Sequence, residues 1–275
     1  MDVPLDQPET WLLGSFIFIL GACVGSFLNV VIYRIPEGLS LLHPPSRCPQ
    51  CHTKLKAYDN VPILGWLWLK GRCRYCAHPI AARYPLIEAA TGILFVLTFL
   101  AFGWSLKTLG YCLFLSWLLA LTMIDLDLMI LPNSLTQSGV IAGWIFQGAI
   151  AFSQVPTWTS PLRGVMEAFI ASVLGLWIFD LIRLAGAWAF KQDAMGGGDP
   201  KLAAMIGAWL GWQMMLVSAF LACLVGSIIG VGGMALGLIG RRQAIPFGPY
   251  LALGAAIAAF YGAQLLSLYQ GLLGL

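Results

Sequence analysis

At 275 residues, with 59% apolar and only 10% charged side chains, the chain lies far outside the composition of a soluble globular domain. Repeated uncharged runs, each long enough to cross about 30 Å of hydrocarbon, read instead as a polytopic membrane protein. The net charge of +3 is uninformative by itself, but its placement is not. Lys and Arg gather between residues 34 and 83 and recur at Arg183, Lys191, Lys201, Arg241 and Arg242. The first ten residues hold Asp2, Asp6 and Glu9 and no base, the wrong flank for a cleaved signal peptide. The positive-inside rule therefore predicts an N-terminus outside the cytoplasm, and no nucleic-acid partner is expected.

The first apolar run, Trp11 to Tyr33, ends at Arg34-Ile35-Pro36 and is expected to cross inward. Gly21 and Gly25 give it a small-residue face for close helix packing. Asn29, near its inner end, needs a hydrogen-bonding partner. Residues 34–83 then form a polar loop, expected in the cytoplasm, with all three histidines and two knuckles, Cys48-Pro-Gln-Cys51 and Cys73-Arg-Tyr-Cys76. That spacing is close to a zinc ribbon's, and four thiolates complete a tetrahedral site in a loop too small to fold on apolar burial alone. A pair of disulfides is the alternative, disfavoured in a reducing compartment. Cys23, Cys112 and Cys223 stand singly in apolar runs and read as packing residues.

A second run, Tyr84 to Gly103, is expected to return outward with Glu88 about one turn inside it. After a tight Gly103-Trp104-Ser105 turn, the third run, Leu106 to Ile124, delivers Asp125 and Asp127 to its inner end. Pro132-Asn133 mark a turn, and Leu135 to Phe152 leads out again. In the fifth run, Val165 to Phe190, Asp180 and Arg183 are spaced to pair at i and i+3. Met195-Gly-Gly-Gly-Asp199-Pro-Lys201 then opens about forty uncharged residues, enough for two helices of roughly twenty, with a hairpin at Trp212-Gln213. The pairs Gly207/Gly211, Gly226/Gly230 and Gly233/Gly237 should pack these spans tightly. Ile245 to Leu268 makes the eighth span. The expectation is an all-α membrane protein of about eight transmembrane helices, divided into a tail and first helix (1–33), a zinc-binding loop (34–83) and a protease core (84–275).

This topology places Asp125 at the end of an inward helix and Asp199 at the start of an outward one, at one membrane depth. Ionisable groups there are costly and mark function. Two adjacent carboxylates share a proton, one acting as base toward water and the other as acid toward a carbonyl, which is the chemistry of peptide hydrolysis without a covalent intermediate. Gly196 and Gly198 would allow close backbone approach. The residues leave alternatives open: Asp127 could be the partner, the acidic pair could be a solvated helix end facing Lys201, or the acids could serve a proton-coupled transporter. A zinc protease is disfavoured, since no His-Glu-x-x-His occurs.

Gly25-Ser-Phe-Leu-Asn-Val-Val-Ile-Tyr-Arg-Ile-Pro36, the paired knuckles, Asp59-Asn-Val-Pro62, Arg83-Tyr-Pro-Leu-Ile-Glu88, Asp125 with Leu131-Pro-Asn133, Gly196-Gly-Gly-Asp-Pro-Lys-Leu202 and Phe247-Gly-Pro-Tyr-Leu-Ala-Leu253 together resemble the type IV prepilin peptidase family over nearly the whole chain. In that family's pattern the first catalytic aspartate stands seven residues before the proline, which selects Asp125 over Asp127, and the second is Asp199. Pro200 departs from the usual Phe, Val or Ile, but proline is tolerated in a first helical turn. The resemblance implies a bacterial inner-membrane enzyme acting on the cytoplasmic side. It implies cleavage of prepilin or pseudopilin leader peptides after a glycine, then methylation of the new N-terminus with S-adenosylmethionine. Asn29 and Glu88 are candidates for the methyl-transfer site, placed where the first span, the loop and the second span meet. The alternative is that Glu88 pairs with a loop cation such as Arg83 and Asn29 bonds a neighbouring helix.

Overall fold

A computed structural model describes residues 8–191, 196–238, 240 and 245–273. Asp2, Asp6, Met195 and the Arg241-Arg242 pair lie outside the described residues. The long helices are α1 (Pro8–Arg34), α3 (Arg83–Phe102), α4 (Leu106–Leu128), α5 (Asn133–Gln154), α6 (Ser160–Phe190), α7 (Asp199–Ala235) and α8 (Gly248–Leu273), and α2 (Leu64–Trp68) is a short turn of helix in the loop. Among the described residues seven helices are long and apolar enough to cross a membrane. The chain divides into two compact units, Met1–Ser116 and Trp117–Leu275, with the boundary inside α4.

In the first unit α1 packs on α3 through its glycines. A Cβ at Gly21 would stand 2.8 Å from the Gly92 Cα, and one at Gly25 would stand 2.7 Å from the Glu88 Cα. The expected small-residue face is therefore a backbone-to-backbone contact, which in lipid supplies the dispersion energy that water exclusion cannot. Asn29 finds its partner on the same seam, donating from Nδ2 to the Tyr84 carbonyl at 3.2 Å. Cys112 is buried with Ile17, Phe95 and Phe99, as a packing cysteine should be, whereas Cys23 and Cys223 are exposed.

In the second unit the uncharged stretch after Asp199 departs from two equal helices. Helix α7 contains one non-helical residue, Gly211, at φ 81° and ψ 168°. The neighbours reveal that the chain turns back there. Gly207 and Gly175 bring the first arm against α6 at Ala171 and Ala203, while Gly143 meets Ala208 and Trp209 from α5. Along α8 the partners run the other way: Tyr250 meets Gly226, Gly254 meets Ser218, and Gly262 meets Met214. The second arm is thus antiparallel to α8, while the first arm begins beside the start of α8, where Gly248 touches Asp125. About eight crossing segments are realised as seven apolar helices, one of which reverses. The turn lies at Gly211, not at Trp212-Gln213, and its arms are unequal, from Asp199 to Leu210 and from Trp212 to Ala235. Gly211 itself has no heavy atom near enough to demand a missing side chain; its role is conformational, not the packing expected of it.

The reversal leaves carbonyls of the first arm without helical partners. Gln147 supplies one, donating from Nε2 to the Trp209 carbonyl at 2.6 Å. The Trp209 indole is buried, stacks on Phe146 and donates to the Gly139 carbonyl at 2.8 Å. Asp180 and Arg183 form the expected ion pair, at 2.9 Å.

Candidate active site

Asp125 occupies the last turn of α4, one residue after the fully buried Ile124, and is itself buried. The helix stops just beyond it because Met129 adopts φ 54°, after its amide has closed on the Asp125 carbonyl at 2.9 Å. Asp127, two residues on and therefore on another face of the helix, is exposed. Asp125 Oδ2 accepts the Gly248 amide at 3.1 Å, so the start of α8 delivers a backbone donor to the carboxylate. A Cβ at Gly248 would stand 2.5 Å from that oxygen, so any side chain there would have to push the carboxylate aside.

Asp199 is the first residue of α7 and is also buried, with Pro200 in the first turn where a missing amide costs nothing. Its own amide bonds the Gly196 carbonyl at 3.3 Å, folding the glycine run into a turn before the helix. Asp199 lies within the electrostatic field of Asp125. The segments that carry the two acids are joined at two further points. Gly198 packs against Leu131, where a Cβ would stand 2.8 Å from the leucine Cβ. Lys201 Nζ donates to Asn133 Oδ1 at 2.6 Å. Leu131-Pro132-Asn133 and Gly196-Gly-Gly-Asp-Pro-Lys201 are therefore one assembled seam with the acids inside it. Lys201 is engaged with Asn133, and Asp125 is no solvated helix end.

Sequence reasoning missed Gly248. The only signal was the Phe-Gly-Pro-Tyr stretch, which resembled the family without a physical reason; the reason is the approach of its amide to a carboxylate 123 positions earlier.

The four loop cysteines also converge. Sγ of Cys48 lies 3.8 Å from that of Cys76, and Sγ of Cys51 lies 4.0 Å from that of Cys73. A disulfide needs about 2.05 Å, whereas a tetrahedron with metal–sulfur bonds of about 2.3 Å has edges of about 3.8 Å. The set fits a metal ion. Each knuckle is built alike: the Cys48 amide bonds the Thr53 carbonyl and the Cys73 amide bonds the His78 carbonyl, with His52 and Ala77 turning at positive φ. Hydrogen bonds from Thr53 bring the Cys51 thiol down to about 6, and the backbone amides of Cys76 and Tyr75 lower that of Cys73. Both favour the thiolates that a metal requires, whereas Cys76 is pushed up to about 12, its His78 backbone hydrogen bond being outweighed by burial and by the hydrogen bonds of the three other thiols. Asp59 is buried beneath the second knuckle and holds the Arg74 guanidinium at 2.6 Å.

Glu88 is buried and accepts the Ile63 amide on Oε2 at 2.7 Å, so a carboxylate of α3 grips the loop backbone. Asn29 bonds α3 at Tyr84, four residues before Glu88. The structure brings both to the junction of α1, loop and α3.

The fold and site define a helical membrane protein with two buried aspartates held on facing segments and a separate four-cysteine loop. The family model of the bacterial peptidase A24 N-terminal domain matches residues 19–102, and that of the type IV leader peptidase family matches residues 112–231. The chain belongs to the type IV leader peptidase family. It is 39% identical over 284 residues to a prepilin leader peptidase/N-methyltransferase of Aeromonas salmonicida (strain A449), covering 92% of each chain. It is 41% identical over 220 residues to that of Myxococcus xanthus (strain DK1622), covering 80% of this chain and 63% of the relative. With that of Klebsiella pneumoniae the identity is 42% over 218 residues, covering 77% and 91%. No solved structure matches the chain significantly. The transporter reading has no support among these relatives.

Proposed function

We propose that this protein cleaves the leader peptide of type IV prepilins or pseudopilins after a glycine and N-methylates the new N-terminal residue, with Asp125 and Asp199 as the hydrolytic pair. The observation that carries the reading is the seam itself. Two aspartates from motifs 74 positions apart are both buried, Asp199 lies in the field of Asp125, and a packing contact and a hydrogen bond beside them hold their segments in register. One carboxylate takes a proton from water as the water oxygen attacks the scissile carbonyl carbon, and the other gives its proton to the carbonyl oxygen. The resulting gem-diol collapses, its hydroxyl proton returns to the pair, and the leaving amine takes a proton as the C–N bond breaks. The Gly248 amide fixes Asp125 from one side throughout.

Cys48, Cys51, Cys73 and Cys76 would hold zinc, which when bound would fold the loop and, with four protein ligands, would serve structure and not hydrolysis. The methyl donor is S-adenosylmethionine. Transfer to an amine needs its neutral lone pair, and an α-amine is already partly neutral near pH 7.7–8.0, so positioning matters more than deprotonation. Asn29 and Glu88, at the junction of α1, loop and α3, are the side chains proposed to hold that amine. The chain lies in the bacterial inner membrane with its aspartate pair toward the cytoplasm.

The test is to incubate purified protein with a prepilin, with and without S-adenosylmethionine, and to weigh the products. Leader loss in both samples, with a gain of one methyl only when the donor is present, is the expected result. Intact prepilin from folded protein overturns the reading.

A further inference from the structure

The loop carries a surface that neither the aspartate seam nor the metal site uses. Helix α2 has two unlike faces. One is built into the loop: a Cβ on Gly65 would stand 2.5 Å from the Asp59 carbonyl, and Trp66 donates its indole N–H to the Ile80 carbonyl at 3.0 Å while its ring covers Gly71. The other face carries Leu64, Leu67 and Trp68, at i, i+3 and i+4, and these are 65%, 55% and 82% exposed. Three large apolar side chains on one helical turn require a partner that is not water.

A second observation fixes where that face lies. The amide of Ile63, immediately before α2, is held by Glu88, five residues inside the membrane-spanning α3. At 1.5 Å per residue this is about 7.5 Å past the start of α3. Trp66 is tied to Ile80, three residues before α3 begins. Helix α2 therefore starts at the Glu88 carboxylate, beside the first turns of a membrane-spanning helix. Interfacial helices bury their apolar face about 5–10 Å into the boundary between headgroups and acyl chains, and a contact about 7.5 Å along a spanning helix is compatible with that range. Tryptophan favours that boundary, and the exposed Lys70 and Arg72 follow directly, suited to anionic headgroups.

We propose that α2 is seated in the bilayer interface, with Leu64, Leu67 and Trp68 among the outer acyl chains and Lys70 and Arg72 at anionic phospholipid headgroups. The loop that holds the metal is thus a membrane-surface element, docked on lipid as well as on α3. Full-length protein with a benzophenone amino acid replacing Leu64, Leu67, Trp68 or, as a control, the exposed loop residue Tyr58 is placed in nanodiscs of phosphatidylethanolamine and phosphatidylglycerol. These side chains lie on exposed surfaces, and monodisperse, prepilin-cleaving protein is scored after irradiation. Phospholipid adducts at 64, 67 and 68 and none at 58 are expected. Equal labelling at 64 and 58, or cross-links from 64 and 68 to a second copy or to added prepilin in place of lipid, would overturn the proposal. A separate arm with wild type and Lys70→Glu/Arg72→Glu measures phosphatidylglycerol retained through purification, which is expected to fall in the variant; unchanged retention counts against the headgroup contact.

Discussion

The chemistry proposed for the seam depends on a proton that an amide cannot trade. Asp125→Asn and Asp199→Asn are each expected to abolish leader cleavage in protein that still inserts, whereas Asp127→Asn, at an exposed position, keeps substantial activity. Rates of prepilin processing by the three variants decide it, and an active Asp125→Asn together with a dead Asp127→Asn would move the pair by half a helical turn. Gly248→Ala probes the same carboxylate from the other side. Its methyl would stand 2.5 Å from Asp125 Oδ2 and push the carboxylate off the 248 amide, so cleavage is expected to drop by about two to three orders of magnitude, on the scale of losing one positioned donor, with the four-cysteine site unaffected. At this scale the residues by themselves showed which types matter, and it was the resemblance to the family pattern, not local chemistry, that selected Asp125 over Asp127. Helix phase separates Asp125 from Asp127, and that phase is set by packing around Ile124 that no local pattern encodes. Gly248 was still less legible, because its reason lies 123 positions away.

Helices and turns were more readable, since runs of apolar residues bounded by charge or proline announce themselves, and α1, α3, α5 and α8 fall within a few residues of expectation. The exception is α7, where hydropathy is uniform on both sides of the turn and only a backbone conformation marks it. Gly211 at φ 81° and ψ 168° sits in a region essentially closed to other residues. Gly211→Ala should destabilise the protein by about 1–3 kcal/mol, read as a lowered unfolding midpoint in detergent. An unchanged midpoint would mean that the reversal does not depend on the glycine. The knuckles were legible for the opposite reason, because metal ligation imposes a fixed spacing on sequence. Purified protein should hold about one zinc per chain, and replacing Cys73 and Cys76 with Ser should remove it and expose the loop to protease. Elemental analysis of the wild type finding no metal would refute the assignment.

For the molecule as a whole, membrane character follows from composition alone, while the meeting of α1, the loop and α3 combines the glycine contacts of α1 and α3 with side-chain bonds from Asn29 and Glu88 that the sequence merely hinted at. Glu88 both grips the loop and is proposed to serve methyl transfer, and two substitutions separate these roles. Glu88→Gln keeps an acceptor for the Ile63 amide and loses the carboxylate; Glu88→Ala loses both. Cleaved but unmethylated pilin from Glu88→Gln, by mass, is the expected outcome. Full methylation from Glu88→Gln with instability of Glu88→Ala would leave Glu88 an anchor only.

The unequal arms of α7 bear on how water reaches the acids. From Asp199 to Leu210 the first arm rises about 18 Å, well short of a hydrocarbon slab of about 30 Å. Gln147 takes up a carbonyl freed at the reversal, so the turn is satisfied within the protein, and the exposed Trp212 beside Gly211 suits an interface. With the turn at one surface, the opposite surface would dip by about 12 Å to meet Asp199, through a thinned leaflet or an aqueous notch between helices. Such hydrophobic mismatch would make leader cleavage sensitive to acyl-chain length, with thicker bilayers slowing an enzyme whose chemistry itself is unchanged.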